Sequence, residues 1–256
     1  MKRLTLFLLG AILASAQSRP PVVVELFTSE GCSSCPPADN LLSRLAQNLP
    51  DVEVIPLSEH VDYWNHLGWT DRFSSPLFSA RQQDYGRAFH LESVYTPEMV
   101  VDGESEFNGS DWNRARQAIR KAAFEQKAAL AIAMRGSGLA HFQVAGVPPG
   151  IRNVDVFLAI TESNLETRPR AGENDGRILR HTGVVRALNS VGHFDPRKSN
   201  DYSADARISL NSQWSRDNVR LVLFAQDRST RKIIGAAACA AGNLAATGFQ
   251  PARPQH

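Results

Sequence analysis

Cys32 and Cys35 stand between a short apolar run and a helix start, and no other feature of the chain constrains its fold as much. Residues 22–27 are apolar and largely β-branched apart from Glu25, which suits a buried parallel strand. Pro36-Pro37 fit a first helical turn, where a missing N–H costs nothing. Leu41, Leu42, Leu45, Ala46 and Leu49 follow at helical spacing until Pro50. A second apolar run, 52–57, reads as another buried strand. Strand, CxxC turn, helix and strand together make a β-α-β unit with a right-handed crossover and parallel strands.

Residues 58–95 are polar and aromatic, with His60, Tyr63, Trp64, His66, Trp69 and Phe73. Ser75 caps and Pro76 opens a helix to about Phe89, so this stretch reads as a helical insertion. Met99-Val100-Val101 runs into the turn signal Asp102-Gly103, and Glu106 to Asn108 returns as a hairpin partner. Ser110 or Asp111 can cap the next helix, whose Trp112, Ala115, Ile119 and Ala122 fall at spacings of three and four. One α/β domain thus spans 20–127, with its insertion at 58–95.

Beyond it the hydrophobic period changes to two, in seven short stretches near 129–134, 141–144, 154–160, 183–188, 206–210, 220–225 and 232–238. Turn residues separate them, so 128–245 reads as an all-β antiparallel sandwich. Its polar connection 162–180 contains Gly172-Glu173-Asn174 and is longer than a hairpin needs; it is either a functional loop or a solvated excursion. Residues 246–256 read as a disordered tail. A length of 256 residues accommodates two domains.

The compartment follows from the N-terminus. Lys2-Arg3, an uncharged run over 4–14 and Ala14-Ser15-Ala16 match a secretory signal peptide cut after Ala16, too short to span a bilayer. The product is expected to be secreted or periplasmic, without stable membrane insertion. With 28 Lys plus Arg against 26 Asp plus Glu, two of the former in the leader, no net field remains to hold nucleic acid. Hydrophobic residues at 43% and charged residues at 21% exclude a wholly disordered or collagen-like chain. In an oxidising compartment the CxxC spends part of its life as a disulfide.

A helix N-terminus stabilises a thiolate, so Cys32 is the expected nucleophile and Cys35 the resolving thiol. The competing reading is a local structural disulfide, which closes too short a loop to stabilise much. Glu25, among apolar neighbours, either relays the proton of Cys35 or turns to solvent or an Arg. His60 ends the second strand on the CxxC side of the sheet, where it tunes the Cys32 thiolate, completes a metal site or is a hydrogen-bonded core group. The cluster Tyr63, Trp64, Trp69 and Phe73 is core packing or a binding platform. Cys239, in an apolar run, reads as a small buried hydrophobe. No Ser-His-Asp arrangement, phosphate loop or zinc-helix motif is evident.

Residues 95–103, with Thr96-Pro97 ahead of a strand and a turn, resemble the thioredoxin superfamily. That resemblance implies a cis Thr96-Pro97 peptide against the CxxC, with Thr96 binding substrate backbone and Pro97 blocking metal capture. Residues 25–39, including Cys32-Ser33-Ser34-Cys35-Pro36-Pro37-Ala38-Asp39, together with His60-Val61-Asp62-Tyr63-Trp64-Asn65 and the 172–174 segment, resemble the secreted bacterial domain-of-unknown-function family 1223. That family implies a thioredoxin-like fold and an export signal, and no settled reaction. Glu98 stands where the family leads one to expect Gln, which places a carboxyl beside the implied substrate groove.

The expected architecture is therefore an α/β thioredoxin-like domain with a helical insertion, followed by an all-β antiparallel sandwich domain. The expected function is exported thiol–disulfide exchange on disulfide-containing proteins or small thiols, with the Cys32–Cys35 disulfide in place of a cofactor and no bound metal. Two alternatives stand beside it. One is a copper-handling protein using Cys32, Cys35 and His60, since two thiolates and an imidazole suit Cu(I). The other is a non-catalytic binding module in which the disulfide braces a loop.

Overall fold

The computed structural model describes residues 19–50, 52–135, 138–241 and 250–251. The leader read at 1–16 lies outside the described residues, as does the tail apart from 250–251. No helix among the described residues is long and apolar enough to cross a membrane.

The chain opens with β1 (Val22–Thr28), α1 (Pro36–Asn48), β2 (Val54–His60) and, after a single 3-10 turn at Asn65–Leu67, α2 (Pro76–Ala88). Then come β3 (Glu98–Val101), β4 (Ser105–Asn108) and α3 (Trp112–Ala122). β1 is buried along its whole length, and its alternation divides it between two cores. Val22, Val24 and Leu26 pack with Leu41, Leu42 and Leu45 of α1 and Ile119 of α3. Val23 faces the opposite way, as does Phe27, which meets Tyr85 of α2. β1 and β2 pair in parallel from Val22↔Val54 to Thr28↔His60, as the crossover requires. Ser75 caps α2 by accepting the Leu77 N–H, and Asp111 caps α3 by accepting those of Asn113 and Arg114.

The remaining strands are β5 (Ala129–Arg135), β6 (Leu139–Ala145), β7 (Val154–Glu162), β8 (Leu165–Thr167), β9 (Leu179–His181), β10 (Val184–Phe194), β11 (Asp201–Arg207), β12 (Val219–Asp227), β13 (Ile233–Ala240) and β14 (Gln250–Pro251). Six of the seven expected stretches are strands over most of their length; the one expected at 206–210 is displaced, its strand β11 ending at Arg207. The hairpin β8–β9 is built largely from the 162–180 connection read as a functional loop or a solvated excursion, and β14, inside the expected tail, pairs with β11.

The expected division into a thioredoxin-like α/β domain and a separate sandwich is overturned. One mixed sheet of eight strands runs β13-β12-β7-β10-β2-β1-β3-β4 through both halves of the chain, with only three α-helices among the described residues. β10 joins β2 in parallel at Val184↔Ser58. A smaller antiparallel sheet, β14-β11-β6-β5, packs Phe142 and Val144 on Leu158, Leu221 and Leu223 of the large one. The opposite face of those strands belongs to a core shared with the first half, where Val222 and Phe224 meet Val23, Ile55 and Phe78. The seam is closed elsewhere too. The β3–β4 turn has positive φ at Asp102 and Gly103, and a Cβ on Gly103 would stand 2.0 Å from the Arg231 carbonyl oxygen. Only glycine admits that approach.

Candidate functional site

The β1–α1 turn holds a Cys32–Cys35 disulfide with Cα atoms 5.4 Å apart. Cys35 is the N-cap of α1, and its carbonyl accepts the N–H groups of Ala38 and Asp39. Ser33 and Ser34 are exposed, whereas both cysteines are 0% exposed. Ser34 Oγ lies 3.3 Å from Cys32 Sγ.

Burial of the sulfurs is matched by a clasp from the other half of the chain. Asn174, itself fully buried, donates its amide to the carbonyls of Glu30 and Cys32, at 2.9 Å each. The adjacent Glu173 accepts the Ser33 N–H at 3.0 Å, and the Ser33 side chain first, with that N–H second, holds its carboxyl below the ordinary value. Gly172, at φ 76°, lies so near Trp69 that a Cβ would come within 3.2 Å of the Trp69 Cβ. The polar connection is thus a cover seated on the CxxC turn.

On another side, Trp64 packs against Gly31, where a Cβ would come 3.0 Å from its own, and its Nε1 donates to Thr96 Oγ1 at 2.8 Å. The Thr96–Pro97 peptide is cis. A Cβ on Gly109 would stand 3.2 Å from those of both Ala38 and Pro97, which puts Pro97 beside the first turn of α1. Thr96 and Pro97 are therefore placed at the end of the molecule that holds the CxxC turn, Thr96 through Trp64 and Pro97 beside Ala38.

His60 lies at the same end of the sheet, in a buried polar cluster on the α1 face. Its Nδ1 is 2.6 Å from Asp71 Oδ2, and Asp71 also accepts the Glu30 N–H. Glu30 accepts the Trp69 indole N–H at 2.7 Å and lies 3.3 Å from His181 Nε2. The two imidazoles are edge to face at 4.9 Å, and Phe73 packs against both. Burial alone would lower the pKa of His60, but the charges of Asp71, Asp39 and Glu30 outweigh it and raise the value. Burial pushes Asp71 and Glu30 upward; their imidazole partners win, leaving both lowered. Asp39 is held up by burial, against His181 and His60. Thr28 Oγ1, Glu30 Oε1, Asp39 Oδ1, His60 Nε2 and His181 Nδ1 have no hydrogen-bond partner.

Glu25 is elsewhere. One residue of β alternation turns it to the face opposite α1, where it meets Arg81 Nε at 2.6 Å and the Tyr85 hydroxyl at 2.5 Å. The Arg-bound alternative describes its position, and Glu25 is engaged away from the α1 face. Glu59 lies 3.4 Å from the same guanidinium; burial, opposed by Arg81 and aided by Glu25, drives its pKa well up. Glu98 is also on this side. It accepts from Gln82 Nε2 at 2.6 Å, and burial raises its carboxyl to about 7.

For the copper alternative, no group of three His, Cys, Asp or Glu among the described residues is arranged to hold a metal ion; His60 uses Nδ1 on Asp71, and its Nε2 has no hydrogen-bond partner. Cys239 is free, half-buried and on β13, where it pairs with Leu221 of β12. Of the aromatic cluster, Trp64 and Trp69 bind polar groups beside the disulfide, Phe73 packs on the imidazoles, and Tyr63 is 36% exposed and donates to Gln82. Sequence reasoning missed Glu30, Asp39, Asp71 and His181. Asp39 carried a signal, since it falls on the α1 stripe with Leu42 and Leu45 and one turn beyond Cys35.

The chain belongs to the family described as a protein of unknown function, DUF1223, which it matches over residues 23–226. It is similar to the crystal structure of protein AGR_C_4864 from Agrobacterium tumefaciens, at 25% identity and TM-score 0.66, covering 94% of this chain and 100% of that one. HBP35 of Porphyromonas gingivalis shares the fold at 14% identity and TM-score 0.56, covering 93% of this chain and 80% of that one. No curated protein matches the chain.

Proposed function

We propose that this member of DUF1223 is an exported thiol–disulfide oxidoreductase whose working group is the Cys32–Cys35 disulfide, acting on disulfide-bearing proteins or small thiols. One observation carries the reading: the oxidised pair stands at the first turn of α1, flanked by the Trp64, Thr96 and Pro97 shelf. A thiolate formed there is favoured by the helix N-terminus, and Ser34 Oγ is within reach of Cys32 as a donor. In the oxidising direction a substrate thiolate attacks Cys32 Sγ, the Cys32–Cys35 bond breaks, and Cys35 leaves as a thiolate that takes up a proton. The substrate's second thiolate then attacks the substrate sulfur of the mixed disulfide and releases Cys32. Two electrons pass from substrate to protein; the reverse sequence reduces a substrate disulfide. Thr96 and Pro97 line the place where substrate backbone would lie.

A second reading, a disulfide that only braces the turn, is favoured by the complete burial of both sulfurs. Equilibration of the Cys239→Ser protein with glutathione buffers separates the two. A potential above about −270 mV with measurable exchange, abolished by Cys32→Ser, supports the oxidoreductase. A potential below about −300 mV without exchange assigns the bond to bracing.

A further inference from the structure

Phe73, whose ring packs on His60 and His181, also lines a cavity of about 250 Å³ between the start of α2 and β10. Two guanidiniums share that ring: Arg72 lies 4.7 Å from its centroid and Arg186 4.9 Å. Arg186 is also 5.3 Å from the Trp214 ring, and Trp214, Leu77 and Leu188 supply the apolar wall. The charges are not balanced. Arg186 has one carboxylate neighbour, Glu162 at 3.7 Å, whose other oxygen is occupied by the Ser215 N–H. Exposed Arg72 rests on the ring and pairs with no carboxylate among the described residues. Burial holds the pKa of Arg186 down, and Arg72 adds to that against Glu162. The N-terminus of α2, at Ser75 and Leu77, lines the same cavity and adds positive potential.

Two like charges on one ring, with a single carboxylate that pairs with Arg186 and not with Arg72, repel each other, and an anion between them relieves that repulsion. Guanidinium forks match the paired oxygens of a carboxylate or phosphate head, and flat apolar groups stack on such rings. We propose that this cavity binds a small organic anion, its oxyanion head between Arg72 and Arg186 and its aromatic body against Trp214. A volume just under the usual ligand range of about 300–1,000 Å³ sets the size at about one ring. The site is separate from the disulfide and does not depend on the redox reading.

Calorimetric titration of the wild-type protein with benzoate, phenyl phosphate, benzyl alcohol and inorganic phosphate tests this. Both aromatic anions are expected to bind at about millimolar Kd or tighter, and the neutral alcohol and inorganic phosphate at least about tenfold more weakly. Arg72→Gln, an exposed position, should weaken the anions about tenfold and leave the alcohol unchanged; Arg186→Gln should do the same where it folds. No anion binding, equal binding of the alcohol, inorganic phosphate binding as tightly as phenyl phosphate, or unchanged benzoate affinity in Arg72→Gln would each overturn the proposal.

Discussion

If exchange requires the cover to lift, Asn174→Ala should open the disulfide without unfolding the protein. Asn174 makes two donor bonds of 2.9 Å to the carbonyls of Glu30 and Cys32, and its own oxygen accepts from Arg177 at 3.0 Å. Truncation leaves the buried Glu30 carbonyl without its donor in the closed state, whereas that of Cys32 keeps the Cys35 N–H; in the open state water serves both. Leaving a buried acceptor unmet costs about 1–3 kcal/mol, which multiplies the open population about fivefold to 150-fold. When opening is fast relative to attack, the rate of reduction by dithiothreitol rises by the same factor. New thiols trapped by alkylation and counted by mass give that rate, with Cys239→Ser as background. Leu158→Ala is the control: a cavity in the core beneath the smaller sheet costs about 2–5 kcal/mol of global stability and touches nothing near residue 174. If Leu158→Ala accelerates reduction as much as Asn174→Ala does, the disulfide is reached by global unfolding and the reasoning about the cover fails.

Ser34→Ala should remove the donor nearest Cys32 and make the potential more negative by about 10–30 mV, since a hydrogen bond of about 0.5–1.5 kcal/mol is lost from the reduced form of a two-electron couple; glutathione equilibration reads it. Glu98, raised from 4.5 to about 7, binds its proton more tightly folded than unfolded, so it contributes stability below about pH 4.5 that is lost as pH rises to about 7. Glu98→Gln should therefore gain about 3 kcal/mol relative to wild type between about pH 4 and pH 8 in urea unfolding, and a pH-independent difference would refute this. Arg81→Met should cost about 3–5 kcal/mol by leaving the carboxyls of Glu25 and Glu59 buried together, measured by the same unfolding curves.

Local structure was legible because each element announces its own period and caps: the β-α-β unit, Ser75 and Asp111, the Asp102-Gly103 turn and six of the seven later stretches can be read from short windows. Pairing was not, because no window says which strand lies beside which. A clue did lie in Leu221-Val222-Leu223-Phe224-Ala225, a continuous apolar run covered on both faces: Leu221 and Leu223 face one core, Val222 and Phe224 the other. Read as a strand buried on two sides, it places the second half in a central sheet rather than in an outer sandwich. For the site, the cysteines, Thr96-Pro97 and the end-of-strand position of His60 were visible in the chain. His181 was not, nor was the place where the 172–174 segment lands, since both are brought to the β1–α1 turn only through long-range pairing.

That pairing gives the cover its place. The connection between β7 and β10 folds back as β8–β9, with Thr167 and His181 beside Glu30, and then enters β10 through Gly183. A Cβ on Gly183 would stand 2.5 Å from the Pro56 carbonyl oxygen, so glycine lets the chain press against β2 and fixes where residues 172–174 fall. The clasp grips the backbone of the very turn that the disulfide closes, at Glu30, Cys32 and Ser33. Linkage then works in both directions: if the closed cover favours the oxidised turn, oxidation favours the closed cover by the same free energy. Reduction should therefore speed amide exchange at residues 168–178 while leaving β12 protected, which hydrogen exchange with mass detection resolves segment by segment. Equal exchange in both redox states would mean that the clasp holds the turn whether or not the sulfurs are joined, and the cover would then be a structural lid insensitive to the chemistry beneath it.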